Sequence, residues 1–398
     1  MTDRPMTVLA LASYFKGERF LEQAHRRGAR VYLFTQARLL GEPWPRHALA
    51  EVLAQPDQST LEHTVHTVAY LWRTRGFDRI VALDDYDVET AAALREHFRV
   101  PGMGDSTARH FRDKLAMRVT ARDAGIPVPE FARVFSDDEL QDFVARVPPP
   151  WMLKPRSEAS AAGIVKVESG AQLWKELEGR GDRRSYFLVE QYLPGTVYHV
   201  DSIVRDGQVL LAEVHRCGTP PFDIAHGGGV YTSRTLERGS PADLELRAVN
   251  ARVLTQLGMR SGVTHVEFLR SDADGRLVML ETSARVGGAH TAEMVEASTG
   301  LNLWEQWADL ELDGSAYRLP PHRADHAGLL ITLARQEHPD TSGFADPEVV
   351  YRARERFHAG LVLRSPSLSR LEELMDLYAE RLAREFQAVL PAAGRPSH

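Results

Sequence analysis

The first hundred residues alternate continuous apolar runs with apolar residues at helical spacing. Residues 7–35 contain TVLAL, the amphipathic segment GERFLEQAHRRG and the apolar run ARVYLF. A second unit begins with a helical pattern from Leu61 and continues through RIVALDD to VETAAALREHF. Strands that alternate with helices in this way predict a parallel sheet with helices on its faces.

Beyond the Pro/Gly boundary at residues 100–107, the pattern changes to hairpins and single helices. The segment GTVYHVDSIVRDGQVLLAEV predicts a hairpin that turns at Asp206–Gly207. A second hairpin is predicted in GVTHVEFLRSDADGRLVMLETSAR, whereas HGGGVYT between them is interpreted as a glycine loop. The runs HAGLLITLAR and AGLVLRSP are predicted to be strands near the end of the chain. The fold class we expect is therefore α/β followed by α+β.

Composition narrows the class of protein. The 398 residues are 43% hydrophobic and 26% charged, as in a globular protein of two or three domains. A net charge of −7 gives no basic surface for nucleic acid, and no apolar run is long enough to span a membrane. With Cys217 as its single cysteine, the chain forms no intrachain disulfide. The N-terminal apolar stretch is interpreted as a strand, not a signal peptide. We expect a cytoplasmic protein without nucleic-acid or membrane partners, and consider a homodimer.

The second hairpin carries carboxylates where an ordinary core strand would be apolar. A register symmetric about the turn near Asp274 places Glu267 opposite Glu281. Facing carboxylates repel, and magnesium prefers a few carboxylates plus phosphate oxygens. The pair therefore predicts a divalent-cation site. Two alternatives are a solvent-facing strand pair with hydrated carboxylates and a register slip of one residue.

The same register pairs His265 with Ser283 and Val263 with Arg285. Because side chains two residues apart share a face of a strand, the polar members of these pairs join the two glutamates on one side. Arg285 would then lie beside the phosphates of a bound nucleotide, where it could stabilise charge that develops in a transition state.

Two further segments suggest phosphate and nucleotide chemistry. In MLKPRSEASAAGIVKV a lysine at the end of a strand precedes a loop of small residues, which could fold over phosphates but is equally consistent with a plain turn. The strand FLVEQYL could serve as a hinge whose backbone reads an adenine edge. The first strand is followed by ASYFKGERF, so a dinucleotide-binding glycine fingerprint is absent. Asp84, Asp85 and Asp87 follow a later strand, and helix capping is favoured over substrate contact.

Taken in order, these segments resemble the ATP-grasp superfamily, specifically carboxylate–amine ligases similar to L-amino acid ligases. The segments that carry the likeness are FRDKLAMRVTARDAGIPVPE, WMLKPRSEASAAGIVKV, YFLVEQYLPG, THVEF and LETSARVGGAH. The resemblance implies a Rossmann-like pre-ATP-grasp domain at residues 1–105 and an ATP-grasp small lobe at 106–190. It also implies a large lobe with the metal site at 191–315, which a C-terminal subdomain at 316–398 completes.

The resemblance also assigns roles to individual residues. Lys114 and Lys154 correspond to the lysines that contact the nucleotide phosphates, and residues 157–163 to the phosphate lid. Glu267 and Glu281 correspond to the magnesium ligands, and Arg285 to the catalytic arginine that steadies an acyl phosphate. The remaining nucleotide-binding positions that it implies are Ser157, Ser160 and Gly163 in the lid and Glu190, Gln191 and Leu193 in the adenine hinge.

This sequence departs from the family pattern at two positions. Ser283 stands where Asn is usual, so it would be a shorter and weaker ligand, and one of two metals would be held less tightly. Val197 stands where a glutamate often contacts the ribose. His199 or Asp201 would substitute for that glutamate, and the sequence does not choose between them.

The implied chemistry is the formation of an amide or peptide bond, with ATP and Mg²⁺ (or Mn²⁺) as cofactors and ADP and phosphate as products. A small-molecule carboxylate is activated as an acyl phosphate, and an amine attacks it. His226, Gly287 and Gly288 are candidate substrate contacts, and Arg216 or Arg234 could hold a substrate carboxylate. The alternatives are a bicarbonate-activating carboxylase, similar to biotin carboxylase or the purine-pathway enzymes, and a non-catalytic ATP-binding regulator.

Overall fold

The N-terminal part of the chain is a four-stranded parallel sheet with strand order β3-β2-β1-β4. The computed structural model describes residues 4–57, 59–159 and 161–388. Every residue of β1 is buried, because helices cover both faces of the sheet. The elements are β1 (Thr7–Ala12), α1 (Glu18–Arg26), β2 (Arg30–Gln36), β3 (Glu51–Gln55), α2 (Leu61–Trp72), β4 (Arg79–Ala82) and α3 (Val88–Phe98). The predicted strand–helix units are confirmed, but the sequence analysis missed the short, half-buried edge strand β3.

A four-stranded antiparallel sheet follows, with strand order β5-β8-β6-β7. Asp113 caps the N-terminus of the helix that leads into it, since its side chain accepts hydrogen bonds from the backbone N–H groups of Leu115 and Ala116. The elements are α4 (Asp105–Ala108), α5 (Lys114–Asp123), β5 (Phe131–Arg133), α6 (Asp137–Arg146), β6 (Trp151–Pro155), β7 (Val165–Val167), α7 (Gly170–Glu178) and β8 (Phe187–Gln191).

The largest sheet has eight strands in the order β13-β12-β9-β10-β11-β14-β16-β15. Its strands are β9 (Gly195–Arg205), β10 (Gln208–Cys217), β11 (Tyr231–Thr235), β12 (Gly262–Ser271), β13 (Leu277–Ser283), β14 (His326–Leu333), β15 (Val349–Arg352) and β16 (His358–Ser365). Its helices are α8 (Pro221–Gly227), α9 (Pro241–Gln256), α10 (Thr291–Thr299), α11 (Leu303–Asp313) and α12 (Leu368–Glu385).

The large sheet corrects one interpretation of the sequence and confirms another. The segment interpreted as a glycine loop ends inside β11, since Tyr231 and Thr232 begin that strand, which pairs with both β10 and β14 and so connects the two halves of the sheet. The predicted turn between β9 and β10 is confirmed. Asp206 and Gly207 both have positive φ angles, 51° and 80°, as a two-residue hairpin turn requires. Among the described residues, no helix is both long and apolar enough to cross a membrane.

The two faces of the large sheet differ in chemistry. One face is apolar and packs against α5 and α9 through a buried cluster that includes Val200, Val266 and Phe268. The other face carries polar side chains from four adjacent strands and is covered in part by α10 and the segment before it. Since side chains alternate between the faces of a strand, the apolar face fixes which residues face the polar side.

Phe268 tests how strongly the apolar face stabilises the large sheet. Its side chain is completely buried, so Phe268→Ala removes a ring and leaves a cavity, and we expect a loss of about 3–5 kcal/mol of unfolding free energy. Chemical denaturation of the variant and the wild type measures the loss. Leu244→Ala on α9 is the control, because Leu244 is 58% exposed. Similar small losses in both variants would contradict the assignment of the core.

Candidate functional site

Glu267 and Glu281 lie directly opposite each other at the end of the β12–β13 hairpin, as the sequence predicts. The neighbouring pair His265–Ser283 also follows the predicted register. Nearer the turn, however, the pairing shifts by one residue, and Leu280 is the extra residue of a β-bulge. The extra residue compensates for the shifted pairing nearer the turn, so Glu267 and Glu281 still face each other. The predicted pairing of Arg285 is wrong, since β13 ends at Ser283.

Lys114 connects the glutamate hairpin to the small-residue loop. Its buried ammonium group donates to the Glu281 carboxylate at 2.9 Å and to the backbone carbonyl of Glu158 at 2.6 Å. The Tyr86 hydroxyl donates to the Glu158 carboxylate at 2.9 Å. Three separate parts of the chain, including the N-terminal sheet, therefore meet at Lys114 and Glu158.

A second buried ion-pair network lies beneath the predicted hinge. Glu190 on β8 contacts Lys154 on β6 and accepts a hydrogen bond from Arg118 Nε at 3.0 Å. Burial raises the pKa of Glu190, but the two cations outweigh burial and hold that pKa below its usual value. The Glu190 carboxylate is thus committed to the network, so an adenine-reading role would fall to the hinge backbone. Gln191 ends β8, and its N–H donates to the carbonyl of Glu130 at 2.7 Å.

The loop predicted to cover phosphates leaves β6 beside these two lysines. The Ser157 carbonyl accepts a hydrogen bond from Arg112, which anchors the start of the loop. Gly163 has a φ of 69°, and a Cβ there would lie 3.0 Å from Pro155, so glycine suits the end of the loop. The predicted contact Ser160 lies outside the described residues.

An apolar surface lies next to the hinge. Val197, Leu269 and Val278 are buried together, and Leu193 and Leu280 pack against them at the edge. Val197, which stands where the family often has a ribose-binding glutamate, is therefore part of an apolar cluster. Leu193 and Leu280, at the edge of this buried cluster, are its partly exposed apolar groups.

Arg285 points toward the N-terminal sheet. Its Nε donates to Asp85 Oδ2 at 2.7 Å, and its Nη1 donates to the Val286 carbonyl at 2.7 Å. Burial raises the pKa of Asp85, but Arg285 and Arg112 outweigh burial and lower it. Asp85 therefore does not cap a helix, which corrects the favoured interpretation. The other Asp85 oxygen is buried without a hydrogen-bond partner.

The other two aspartates of that segment differ from each other. Asp84 does cap the following turn, since it accepts from the Tyr86 N–H at 2.9 Å, and it also pairs with Lys16 at 2.5 Å. Asp87 instead accepts from the N–H and the hydroxyl of Ser13, both at 2.7 Å. The position of all three after a parallel strand made substrate contact the alternative to capping, and only Asp84 caps the turn that follows.

His199 was a candidate for contact with the ribose, and the structure contradicts that role. The side chain is buried, and both ring nitrogens are engaged, Nδ1 with Asp201 at 2.7 Å and Nε2 with the Ser233 hydroxyl at 2.8 Å. Burial lowers the pKa of His199 to about 4. Asp201, the alternative ribose contact, is completely buried as well.

His215 and His265 complete a cluster around Asp201. Their Nδ1 atoms lie 3.1 Å and 2.8 Å from its carboxylate oxygens. The Nε2 atom of His265 faces the Glu267 carboxylate at 3.5 Å. Burial lowers the pKa of His265, but the two carboxylates outweigh burial and raise it to about 10. His215 was not among the predicted site residues. Its alternation with apolar residues along β10 could have indicated that it lies on one face of the sheet.

The predicted substrate residues do not all lie together. Gly287 lies on the Asp201 cluster, because a Cβ there would be 2.8 Å from His265 Nδ1, whereas a Cβ at Gly288 would meet nothing within 4 Å. His226 is exposed on the short helix α8, and its Nδ1 contacts the Phe222 carbonyl.

The two arginines considered for a substrate carboxylate belong to the other side of the large sheet. Arg216 and Arg234 are register partners on β10 and β11, and Arg216 alternates with His215, which belongs to the polar face. Arg234 pairs with Glu372 on α12 at 2.5 Å. Neither arginine therefore faces the glutamate hairpin, which corrects that expectation.

His290, just beyond the glycine pair, gives a pH-dependent prediction. Its Nε2 lies 3.3 Å from Glu355, and its Nδ1 lies 3.7 Å from Glu293. Burial lowers its pKa, but the two glutamates raise it to about 9. Because the folded-state pKa exceeds the unfolded value, the stabilisation is complete below about pH 6.5 and is lost as pH rises through about 9.

We therefore expect His290→Gln to lower the unfolding free energy by about 1–3 kcal/mol near pH 6, with the difference from wild type closing toward pH 10. Denaturation at the two pH values measures both differences. His338→Gln is the control, because the His338 side chain is 75% exposed. A difference for His290→Gln that is equal at the two pH values would contradict the ion-pair assignment.

Comparison with known proteins identifies the fold and one domain of the chain. The family model of the ATP-grasp domain matches residues 147–293 of the chain. An L-arginine-specific L-amino acid ligase of Bacillus subtilis is 26% identical over 251 residues, which cover 61% of this chain and 59% of that protein. A D-alanine–D-alanine ligase of Acidiphilium cryptum is 26% identical over 186 residues, 46% of this chain and 60% of that protein. The matched part thus spans about three fifths of each relative.

The solved structure of an L-amino acid ligase from Bacillus licheniformis superposes with a TM-score of 0.77. The superposition covers 98% of this chain and 99% of that one, at 18% sequence identity. This likeness shows a common fold over nearly the whole chain, and it confirms the fold class predicted from the sequence. The family match assigns an ATP-grasp domain to residues 147–293, and the superposition extends the common fold to nearly the whole chain.

Proposed function

We propose that the protein is an ATP- and Mg²⁺-dependent carboxylate–amine ligase that joins small molecules through an amide or peptide bond. The observation that carries the proposal is the facing pair of Glu267 and Glu281, with Lys114 bridging from Glu281 to the small-residue loop. A relative that joins amino acids favours amino acids as the substrate class. The cytoplasmic location and the homodimer stay predictions.

The proposed reaction has two steps. A substrate carboxylate oxygen bonds to the γ-phosphorus of ATP as the bond to the bridging oxygen breaks, and ADP leaves. The amine nitrogen then bonds to the acyl carbon, the carbon–oxygen bond to phosphate breaks, and the amine proton passes to solvent. No side chain forms a covalent intermediate, so the chain contributes by positioning the reactants and neutralising charge.

The donor set of the hairpin fits a hard divalent cation. Glu267 and Glu281 supply carboxylates from adjacent strands, and the Ser283 hydroxyl follows on the same face. Each carboxylate already has one cationic neighbour, His265 for Glu267 and Lys114 for Glu281. When bound, Mg²⁺ would neutralise phosphate charge, while the serine would be a weaker ligand than the usual asparagine.

Residues around the cation site of Glu267 and Glu281 would hold the nucleotide. Lys154 precedes the small-residue loop on β6, Lys114 contacts the Glu158 carbonyl near its start, and the two would supply positive charge for phosphates. Leu193 and Leu280, supported by the buried cluster of Val197, Leu269 and Val278, would contact the base, with the hinge backbone of residues 190–193 beside them. We assign to Arg285 the role of stabilising the negative charge that develops during acyl transfer. Asp85 holds the Arg285 side chain in place.

The proposal predicts phosphate release from ATP that depends on Mg²⁺ and on amino acids. A panel of amino acids, supplied singly and in pairs, separates the alternatives, and mass spectrometry of the products identifies a new amide bond. Release with pairs supports ligation of two amino acids. Release with bicarbonate alone would instead indicate a carboxylase, and nucleotide binding without turnover would indicate a regulator.

Glu281→Gln is the sharpest single test of the metal assignment. The amide keeps the size of the side chain but removes the charge that faces Glu267, so we expect turnover to be abolished while the fold persists. Glu245→Gln is a matched control, because Glu245 belongs to α9 on the opposite face of the sheet and pairs with Arg270. Near-normal turnover in Glu281→Gln would show the site assignment to be wrong.

Arg285→Ala tests the catalytic arginine, and the structure changes what we expect of its stability. The sequence predicts loss of turnover with the fold intact. Arg285, however, neutralises the buried Asp85, so removing it also costs about 3–5 kcal/mol through an unpaired charge. We expect kcat to fall about 100-fold or more, and Asp85→Asn in the same chain to restore stability but not turnover. Recovery of both in the double variant would contradict a catalytic role.

A further inference from the structure

The polar face of the large sheet is organised around one completely buried carboxylate, that of Asp201 on β9. Three imidazoles contact it, each through Nδ1, and they come from three adjacent strands. His199 lies two residues away on the same strand, His215 on β10 and His265 on β12. A carboxylate removed from water is stable only when such donors satisfy its oxygens. Asp201 and its three histidines therefore form one interdependent unit, which we call the Asp201 cluster.

The Asp201 cluster is joined to the glutamate hairpin by His265. Asp201 and His265 are register partners on β9 and β12, and Asp201 Oδ1 lies 2.8 Å from His265 Nδ1. The opposite edge of the same ring faces the Glu267 carboxylate at 3.5 Å. An imidazole fixed at one nitrogen has its second nitrogen fixed in direction as well. The orientation of the His265 ring depends on Asp201. The contact of that ring with the Glu267 carboxylate therefore depends on Asp201 as well.

The segment that carries Arg285 is packed on the same cluster. A Cβ at Gly287 would lie 2.8 Å from His265 Nδ1 and 3.0 Å from Asp201 Oδ1, so only glycine lets this backbone approach so closely. The Asp201 cluster consequently contacts both Glu267 and the segment that follows Arg285.

We propose that Asp201 is a positioning residue, which holds His265 so that the Glu267 carboxylate is set for the divalent cation of the nucleotide. This inference rests on the proposed function and adds a residue to its metal site. Ligands that bind metal are commonly oriented by an outer hydrogen-bonding partner, and loss of that partner typically weakens metal affinity about 10–100-fold. The contact lengths of 2.7–3.1 Å between the three Nδ1 atoms and Asp201 are those of hydrogen bonds, so the Asp201 carboxylate is satisfied by the three histidines.

Asp201→Asn is the test, because it keeps the shape of the side chain and removes its charge and one acceptor. The apparent KM for Mg²⁺ should rise about 10–100-fold, with kcat largely recovered at saturating Mg²⁺. A second readout needs no turnover. Calorimetric binding of the non-hydrolysable ATP analogue AMP-PNP should lose its Mn²⁺ dependence in the same proportion, while binding without metal stays unchanged.

Glu213→Gln is the matched control. Glu213 is also a buried carboxylate, it is the register partner of Asp201 on β10, and it pairs with Arg238 instead of the histidines. A general loss of packing would affect both variants, whereas the metal dependence should change only in Asp201→Asn. Equal shifts in the two variants, or no shift in either, would overturn the proposal.

His265→Asn keeps the proposal testable if Asp201→Asn does not fold. Its amide can still donate to Asp201, but it lacks the second ring nitrogen that faces Glu267, so the same rise in Mg²⁺ KM is expected. Elemental analysis adds a further check. Stoichiometric zinc in the wild type, lost in Asp201→Asn, would show that the cluster is itself a metal site and overturn the proposal.

The outcomes separate this inference from the proposed function. Wild-type protein that binds AMP-PNP with Mn²⁺, together with an Asp201→Asn variant of unchanged metal dependence, refutes the positioning role alone. Wild-type protein that binds no nucleotide under any metal condition refutes both.

Discussion

The register of the three adjacent strands β9, β12 and β13 is the constraint on which the rest of the structure depends. It aligns side chains from the three strands in two parallel rows on one face of the large sheet. The rows are Asp201, His265 and Ser283, and His199, Glu267 and Glu281. Asp201 and Glu267 lie beside imidazoles, and Glu281 lies beside Lys114, so each of these carboxylates has a neighbour of opposite charge or a hydrogen-bond donor.

Charges at the edge of that grid are matched by groups from distant parts of the chain. Lys114, at the start of α5, reaches Glu281, and Asp85, at the end of β4, reaches Arg285. The candidate site is therefore assembled from the N-terminal sheet, the helix that leads into the antiparallel sheet, and the large sheet. An unpaired charge at any of these points would be costly, and this couples the packing of the three sheets to the geometry of the site.

Much of this could be predicted from residue patterns. The parallel strands of the N-terminal sheet are continuous apolar runs, and the two long hairpins alternate apolar and polar residues around clear turns. The glutamate pair followed from counting outward from the turn. That count succeeded at Glu267 and Glu281 only because the bulge at Leu280 restores the symmetric register, and nothing in the local composition marks a bulge. β11 has one apolar residue, and β3 is a short edge strand whose three apolar residues are consecutive, so neither gives an alternating pattern.

The sequence by itself determined the order of elements, the family resemblance and the residue types that can bind phosphate and a divalent cation. Those properties are local, since they depend on periodicity, turn residues and spacing along one segment. Only the tertiary structure decided the partners of the charged residues. Asp85 meets Arg285 across 200 positions, and His199 turns inward to Asp201 instead of outward to a ribose. Pairing of buried charges depends on which faces meet in space, and sequence separation carries no information about that.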